Sequence, residues 1–114
     1  NVFDIIITND DVKYSKPSSD PYLQAIAKLG VVDSSCLVIE DTLVGAISGR
    51  SAGAQVAVIH SKSETKFLRE LYNNGIDDVF VSFNEIKISY NLWYTLLPLL
   101  MRGKYARTCR SWDF

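Results

Sequence analysis

Residues 36–59 read CLVIEDTLVGAISGRSAGAQVAVI. An apolar run from Cys36 to Ile39 leads into the acidic pair Glu40-Asp41, and a run rich in valine from Gln55 to Ile59 leads into His60. Runs this short, bounded by turn-forming or charged residues, read as buried strands rather than helices. Between them, Val44 to Ala52 is a stretch of small residues closed by Gly53, the pattern of a short helix with a glycine stop. Strand, helix and strand in such close succession make a parallel pair joined by a right-handed crossover.

The alternation extends on both sides. Upstream, Phe3 to Thr8 (FDIIIT) reads as another strand that ends at the turn Asn9-Asp10-Asp11. Lys16-Pro17-Ser18-Ser19-Asp20-Pro21 then forms an irregular loop, with Asp20 predicted as helix N-cap and Pro21 at the first helical position, where its missing N–H costs nothing. Tyr22, Ile26 and Leu29 recur at helical spacing until Gly30 stops the helix. Downstream, a helix is predicted over Ser63 to Tyr72 with Ser63 as N-cap, a shorter strand over Asp78 to Val81, and a further helical turn over Asn84 to Lys87. The order β-α-β-α-β-α-β predicts an α/β fold with a parallel sheet of about four strands and helices on both faces.

At 114 residues and 12.8 kDa the chain has the size of one domain and, at 47% apolar and 22% charged residues, the material for a core. Disorder, collagen-like repeats and an acidic solvating tail are excluded as descriptions of the whole. The net charge of −1 conceals an uneven split: residues 1–86 carry seven basic and twelve acidic side chains, net −5, and residues 87–114 carry five basic and one acidic, net +4. The later segment opens with the apolar run Leu92 to Met101, which is roughly half of what a membrane-spanning helix needs and contains Pro98, so no membrane span is expected. The basic stretch Arg102 to Arg110 raises nucleic acid or anionic lipid as partners; a solvated or sheet-covering helix is the favoured reading, because four charges over nine residues are common on an ordinary helical face. Cys36 and Cys109 form no Cys-x-x-Cys pair and the first residues lack a basic leader, so a reducing, cytoplasmic location is expected. The chain starts with Asn1 rather than Met and runs at once into strand-like sequence, which suggests that it begins inside a larger unit.

In parallel α/β sheets, ligands collect at the carboxyl ends of the strands. Lys16 follows the first predicted strand, Glu40 and Asp41 the second, and His60 with Ser61 the third. Adjacent carboxylates in a low-dielectric crevice require a cation, and a hard divalent ion such as Mg²⁺ suits oxygen ligands. A lysine in the same crevice offers a compact positive charge to a phosphate oxygen. Cys36 is expected as a small core residue, and His60 as an edge histidine without a chemical role.

Lys16-Pro17-Ser18-Ser19-Asp20-Pro21-Tyr22, followed by Val38-Ile39-Glu40-Asp41-Thr42-Leu43-Val44-Gly45 and Ala52-Gly53, resembles the third and fourth motifs of the haloacid dehalogenase (HAD) superfamily, in its β-phosphoglucomutase-like and phosphoglycolate-phosphatase-like branch. Those motifs run Lys-Pro-x-Pro-Asp-x-Tyr and Glu-Asp-Ser-x-x-Gly-x-x-Ala-Ala-x-x-Ala-Gly, and the likeness covers about residues 2–87. The resemblance implies the C-terminal part of a HAD-like Rossmannoid core over residues 1–87 and an apolar, then basic extension over 88–114. It implies that Lys16 contacts a transferring phosphoryl group, that Asp41 ligates Mg²⁺, and that Glu40 is a second ligand or an outer-shell partner. It also implies that Gly45 lets the next helix start tight against the site. Ser19 stands for the usual proline, Thr42 for serine, and Ser48-Gly49 for two alanines; Gly49 is expected to cost about 1 kcal/mol relative to alanine and to loosen its helix.

The family's nucleophile and acid/base are two aspartates in an Asp-x-Asp motif, and these 114 residues contain none. The expected function is that of a fragment or truncated relative of a Mg²⁺-dependent phosphatase or phosphomutase for a small phosphorylated metabolite, inactive as it stands. The competing expectation is a catalytically inactive interaction module whose exposed sheet edge is covered by its own tail, a second copy or another partner.

Overall fold

A computed structural model of the chain describes residues 4–60 and 64–90. Helix α1 spans Asp20–Leu29, strand β1 Leu37–Glu40, α2 Leu43–Ser51, β2 Gln55–Ile59, α3 Thr65–Asn73, β3 Val79–Phe80 and α4 Phe83–Ser89. The described strands form one parallel sheet in the order β1-β2-β3, with Val38 opposite Val56, Glu40 opposite Val58, and Ile59 opposite Phe80. The α/β class and the parallel sheet thus follow the sequence, with three strands among the described residues where about four were expected.

The difference lies at the first predicted strand. Among the described residues of this segment, 4–8, Ile7 makes a single β-bridge and there is no longer ladder. Burial still alternates as in a strand, with Ile6 63% and Ile7 1% exposed, Ile7 packing on Ala25, Ile5 and Val12. The segment's described residues have the intrinsic pattern of a strand without the run of paired neighbours that makes one.

Strand pleating sorts the core into two faces. Val38, Val56, Val58 and Val79 pack with Tyr22 and Ile26 of α1, Ala46 of α2 and Leu71 of α3. Leu37, Ile39, Ala57, Ile59 and Phe80 face the other way, against Ile86 and Phe83 of α4. Both faces are apolar, as a parallel sheet with helices on each side requires. Cys36 is fully buried in the first of these clusters, as a core residue.

Several boundaries move by a residue, and two matter. Ser19, not Asp20, is the N-cap of α1: its backbone is already right-handed (φ −71°, ψ −14°), and its carbonyl accepts from Tyr22 and Leu23 N–H at 3.1 and 2.9 Å. The Asp20 carboxylate instead accepts from Tyr14 N–H at 3.1 Å, so it ties down the preceding loop rather than capping the helix. Glu40 is the last residue of β1 rather than the first beyond it, so the pleat aims its side chain to the face that carries α1 and α2. Helix α3 begins after Glu64; the predicted cap Ser63 lies outside the described residues, as do Phe3, Ser61 and the segment 91–114. Helix α4 runs from Phe83 through Ser89, two residues beyond the helical turn expected over Asn84 to Lys87. No helix among the described residues is long and apolar enough to cross a membrane.

At Gly49 packing opposes helix propensity. The residue is buried on α2 where the helix crosses β1, and a Cβ there would lie 2.8 Å from Cγ1 and 3.1 Å from Cβ of Val38. The glycine lets helix and strand approach more closely than alanine would allow. Gly49→Ala gains about 1 kcal/mol of helix propensity and loses about 1–3 kcal/mol to overpacking. Chemical denaturation is expected to show it no more stable than wild type, and less stable by about 1 kcal/mol at the middle of these ranges. A stabilised Gly49→Ala would restore the propensity-only view.

Candidate functional site

The loop from Thr8 to Ser19 is held at many points. Thr8 donates its N–H and its hydroxyl to Asp11 Oδ2 at 2.7 and 2.8 Å, which draws the Asp11 carboxyl below the usual carboxylate range. Gln24 Nε2 on α1 donates to the Asp11 carbonyl at 2.7 Å, Ser18 N–H donates to the Ser15 carbonyl at 3.0 Å, and Asp20 N–H donates to Ser18 Oγ at 3.2 Å. From α2, the fully buried Ser48 donates its hydroxyl to the Ser18 carbonyl. Ser48 replaces an alanine of the motif, and its hydroxyl supplies the partner that a part-buried carbonyl of this loop requires. Asp10 and Asp11 belong to the 3₁₀ turn Asn9–Asp11.

These ties deliver Lys16 to the carboxyl end of β1. Its ammonium donates to Glu40 Oε1, with the lysine side chain 18% and the glutamate side chain 6% exposed. The same Oε1 accepts the hydroxyl of Tyr22, which is completely buried on α1, and the Lys16 ammonium stands 5.3 Å from the centroid of the Tyr22 ring. On the other side Glu40 rests on Gly45: a Cβ at that position would lie 2.1 Å from Oε2. Gly45 therefore leaves room for the glutamate, which a Cβ would obstruct. Thr42 caps α2, its hydroxyl accepting from Gly45 N–H at 3.1 Å, so the change from serine keeps the cap.

Lys16 and Glu40 are thus brought together, and Asp41 stands next to them, exposed at the end of β1. The three are not equivalent as metal ligands. Glu40 Oε1 is occupied by two donors, one of them cationic, and Oε2 lies against Gly45, which makes Glu40 an anchor for the lysine. Asp41 is a hard oxygen donor on the surface, suited to a divalent ion with most of its ligands from water or phosphate. Among the described residues no three His, Cys, Asp or Glu side chains cluster as a metal site. Of the two carboxylates, the exposed Asp41 is the one placed to meet a cation, whereas Glu40 is already engaged by Lys16 and Tyr22.

His60 takes no part in this group. Its N–H donates to the Phe80 carbonyl at 2.8 Å and its ring packs on Phe67 of α3 with centroids 4.4 Å apart. Two clefts, of about 440 and 220 Å³, share Arg50 and Ala54 and open near the start of β2, at the sheet end remote from Lys16. Position at the carboxyl ends of the strands, rather than cleft size, identifies the site. Ser48 is the residue whose part in the site the motifs did not disclose; Tyr22 closes the third motif, but its depth on an amphipathic helix reads first as core.

A profile described as haloacid dehalogenase-like hydrolase matches residues 1–59. The chain is 31% identical over 86 residues to hexitol phosphatase A of Escherichia coli, covering 75% of this chain and 38% of that protein. It is 36% identical over 70 residues to a phosphorylated carbohydrates phosphatase of Thermotoga maritima, covering 60% of this chain and 32% of that protein. Among solved structures, a HAD hydrolase of family IA, variant 3, from Entamoeba histolytica superposes with a TM-score of 0.60 at 42% identity, over 71% of this chain and 35% of that one. The chain spans about a third of the length of these relatives, at 38%, 32% and 35%.

Proposed function

The chain belongs to the haloacid dehalogenase-like hydrolase family, and from that premise we propose that Lys16, Glu40 and Asp41 are the phosphate-binding and metal-binding supports of a phosphatase or phosphomutase for a small phosphorylated metabolite, with sugar phosphates the first class to try. The observation that carries this reading is the Lys16 ammonium, fixed by Glu40 at the carboxyl end of a parallel strand with part of its surface open to solvent. The names of two relatives, a hexitol phosphatase and a phosphorylated carbohydrates phosphatase, favour the sugar class.

In this reading Glu40 neutralises and aims the lysine, and the ammonium donates its remaining N–H bonds to a phosphoryl oxygen. A Mg²⁺ ion, held by Asp41, would supply charge neutralisation as negative charge spreads over the phosphoryl oxygens. The covalent step needs a carboxylate nucleophile with a second acid beside it, and the 114 residues contain no Asp-x-Asp. Asp10 and Asp11 do not substitute, because Asp11 is bonded into its turn with Thr8. The same reading takes residues 1–87 as core and 88–114 as an extension, and a cytoplasmic setting.

The 114-residue chain is therefore expected to bind phosphate without turning it over. Incubation with p-nitrophenyl phosphate and Mg²⁺ should release no p-nitrophenol above a blank. Release that disappears in Lys16→Ala or Asp41→Asn would contradict this and place a nucleophile within these residues.

A further inference from the structure

We infer that Tyr22 is a positioning residue for the phosphate site, holding the Lys16 ammonium toward the crevice by engaging both members of the Lys16–Glu40 pair; this rests on the reading of Lys16 as the phosphate contact. Tyr22 is completely buried on α1, yet it meets the pair twice. Its hydroxyl donates to Glu40 Oε1, the oxygen that also accepts from Lys16, and its ring face lies beneath the ammonium at 5.3 Å from the centroid.

The two contacts have separate effects. A lysine ammonium has three N–H donors. One goes to Glu40, and the attraction to the ring face steadies the cation without consuming a donor, so the others stay available to an incoming oxyanion. The tyrosine O–H meanwhile takes up part of the hydrogen-bonding capacity of Oε1 and, with Gly45 against Oε2, prevents the carboxylate from turning. Without the O–H, Glu40 is free to rotate and to claim more of the ammonium, and the lysine is drawn away from the open side. Phosphate then competes with its own anchor.

The test is a calorimetric titration of the full 114-residue chain with inorganic phosphate in Mg²⁺ buffer, well below the unfolding temperature of each variant. Wild type is expected to bind and Lys16→Ala to lose binding. Tyr22→Phe keeps the ring and loses the hydroxyl; its dissociation constant is expected to rise roughly five- to tenfold, the size of one hydrogen bond. A merely structural role would leave the phosphate affinity of the folded Tyr22→Phe protein unchanged. Tyr90→Phe, which removes a hydroxyl bonded to Asp78 beyond β2 and β3, is the control and should bind as wild type does. Wild-type binding with Tyr22→Phe equal to it would overturn the role of Tyr22 alone. Absence of binding by wild type would overturn the reading of Lys16 and with it the inference.

Discussion

Glu40→Ala is expected to cost about 3 kcal/mol of folding stability, the lower end of what is lost when one partner of a buried ion pair is removed. The lower end applies because Lys16 is 18% exposed and can turn part of the way to water, whereas Tyr22 cannot: its hydroxyl is left without the Glu40 acceptor beneath a fully buried ring. Glu40→Gln keeps an acceptor oxygen for both donors and should cost about 1–2 kcal/mol. Replacing the pair together, Lys16→Met with Glu40→Leu, should recover much of the loss, since buried ion pairs are often matched by apolar side chains of similar volume. Urea unfolding of the four proteins measures this directly. If Glu40→Ala shifted stability by less than about 0.5 kcal/mol, as a surface substitution does, the pair would be a solvated contact and the site would lose its anchor.

Gly45→Ala should do comparable damage from the other side of the same carboxylate. The added Cβ would lie 2.1 Å from Oε2 and 2.3 Å from Cδ of Glu40, and Glu40 has no easy retreat because Lys16 and Tyr22 both hold Oε1. Set against a helix-propensity gain of about 1 kcal/mol are overpacking of about 1–3 kcal/mol and the disturbed pair. A net loss of about 2–3 kcal/mol is expected. The two substitutions must also be coupled. In a Glu40→Ala background the alanine at 45 meets no glutamate, and Gly45→Ala should become neutral or stabilising there. Additive effects of Gly45→Ala and Glu40→Ala would show that the glycine serves some need other than room for Glu40.

Much of this arrangement can be read from residue types. Gln55–Ile59 is a strand to the residue, because a short apolar run between two turn signals has no alternative partner scheme. Lys16, Glu40 and Asp41 are placed at strand ends by the alternation of elements alone. What stays hidden is tertiary contact. Glycine within a helix reads as a local cost, and only the Val38 side chain pressed against Gly49 turns it into a requirement. Ser48 reads as a stray polar residue until the Ser18 carbonyl is found opposite it. Glu40 and Asp41 read as a matched acidic pair, whereas the pleat buries one on the α1 side and leaves the other in water. The Phe3–Thr8 run has the composition of a strand, but pairing depends on neighbours that composition does not name.

The proposed phosphate contact of Lys16 can be followed residue by residue in two-dimensional NMR of the isotopically labelled 114-residue chain during titration with inorganic phosphate in Mg²⁺ buffer. Saturable shifts are predicted for the loop around Lys16, for Glu40 to Thr42 and for the first turn of α2, and they should vanish in Lys16→Ala while the rest of the spectrum stays that of a folded protein. Shifts centred instead on the cleft around Arg50, or shifts that persist without Lys16, would rule out Lys16 as the phosphate contact.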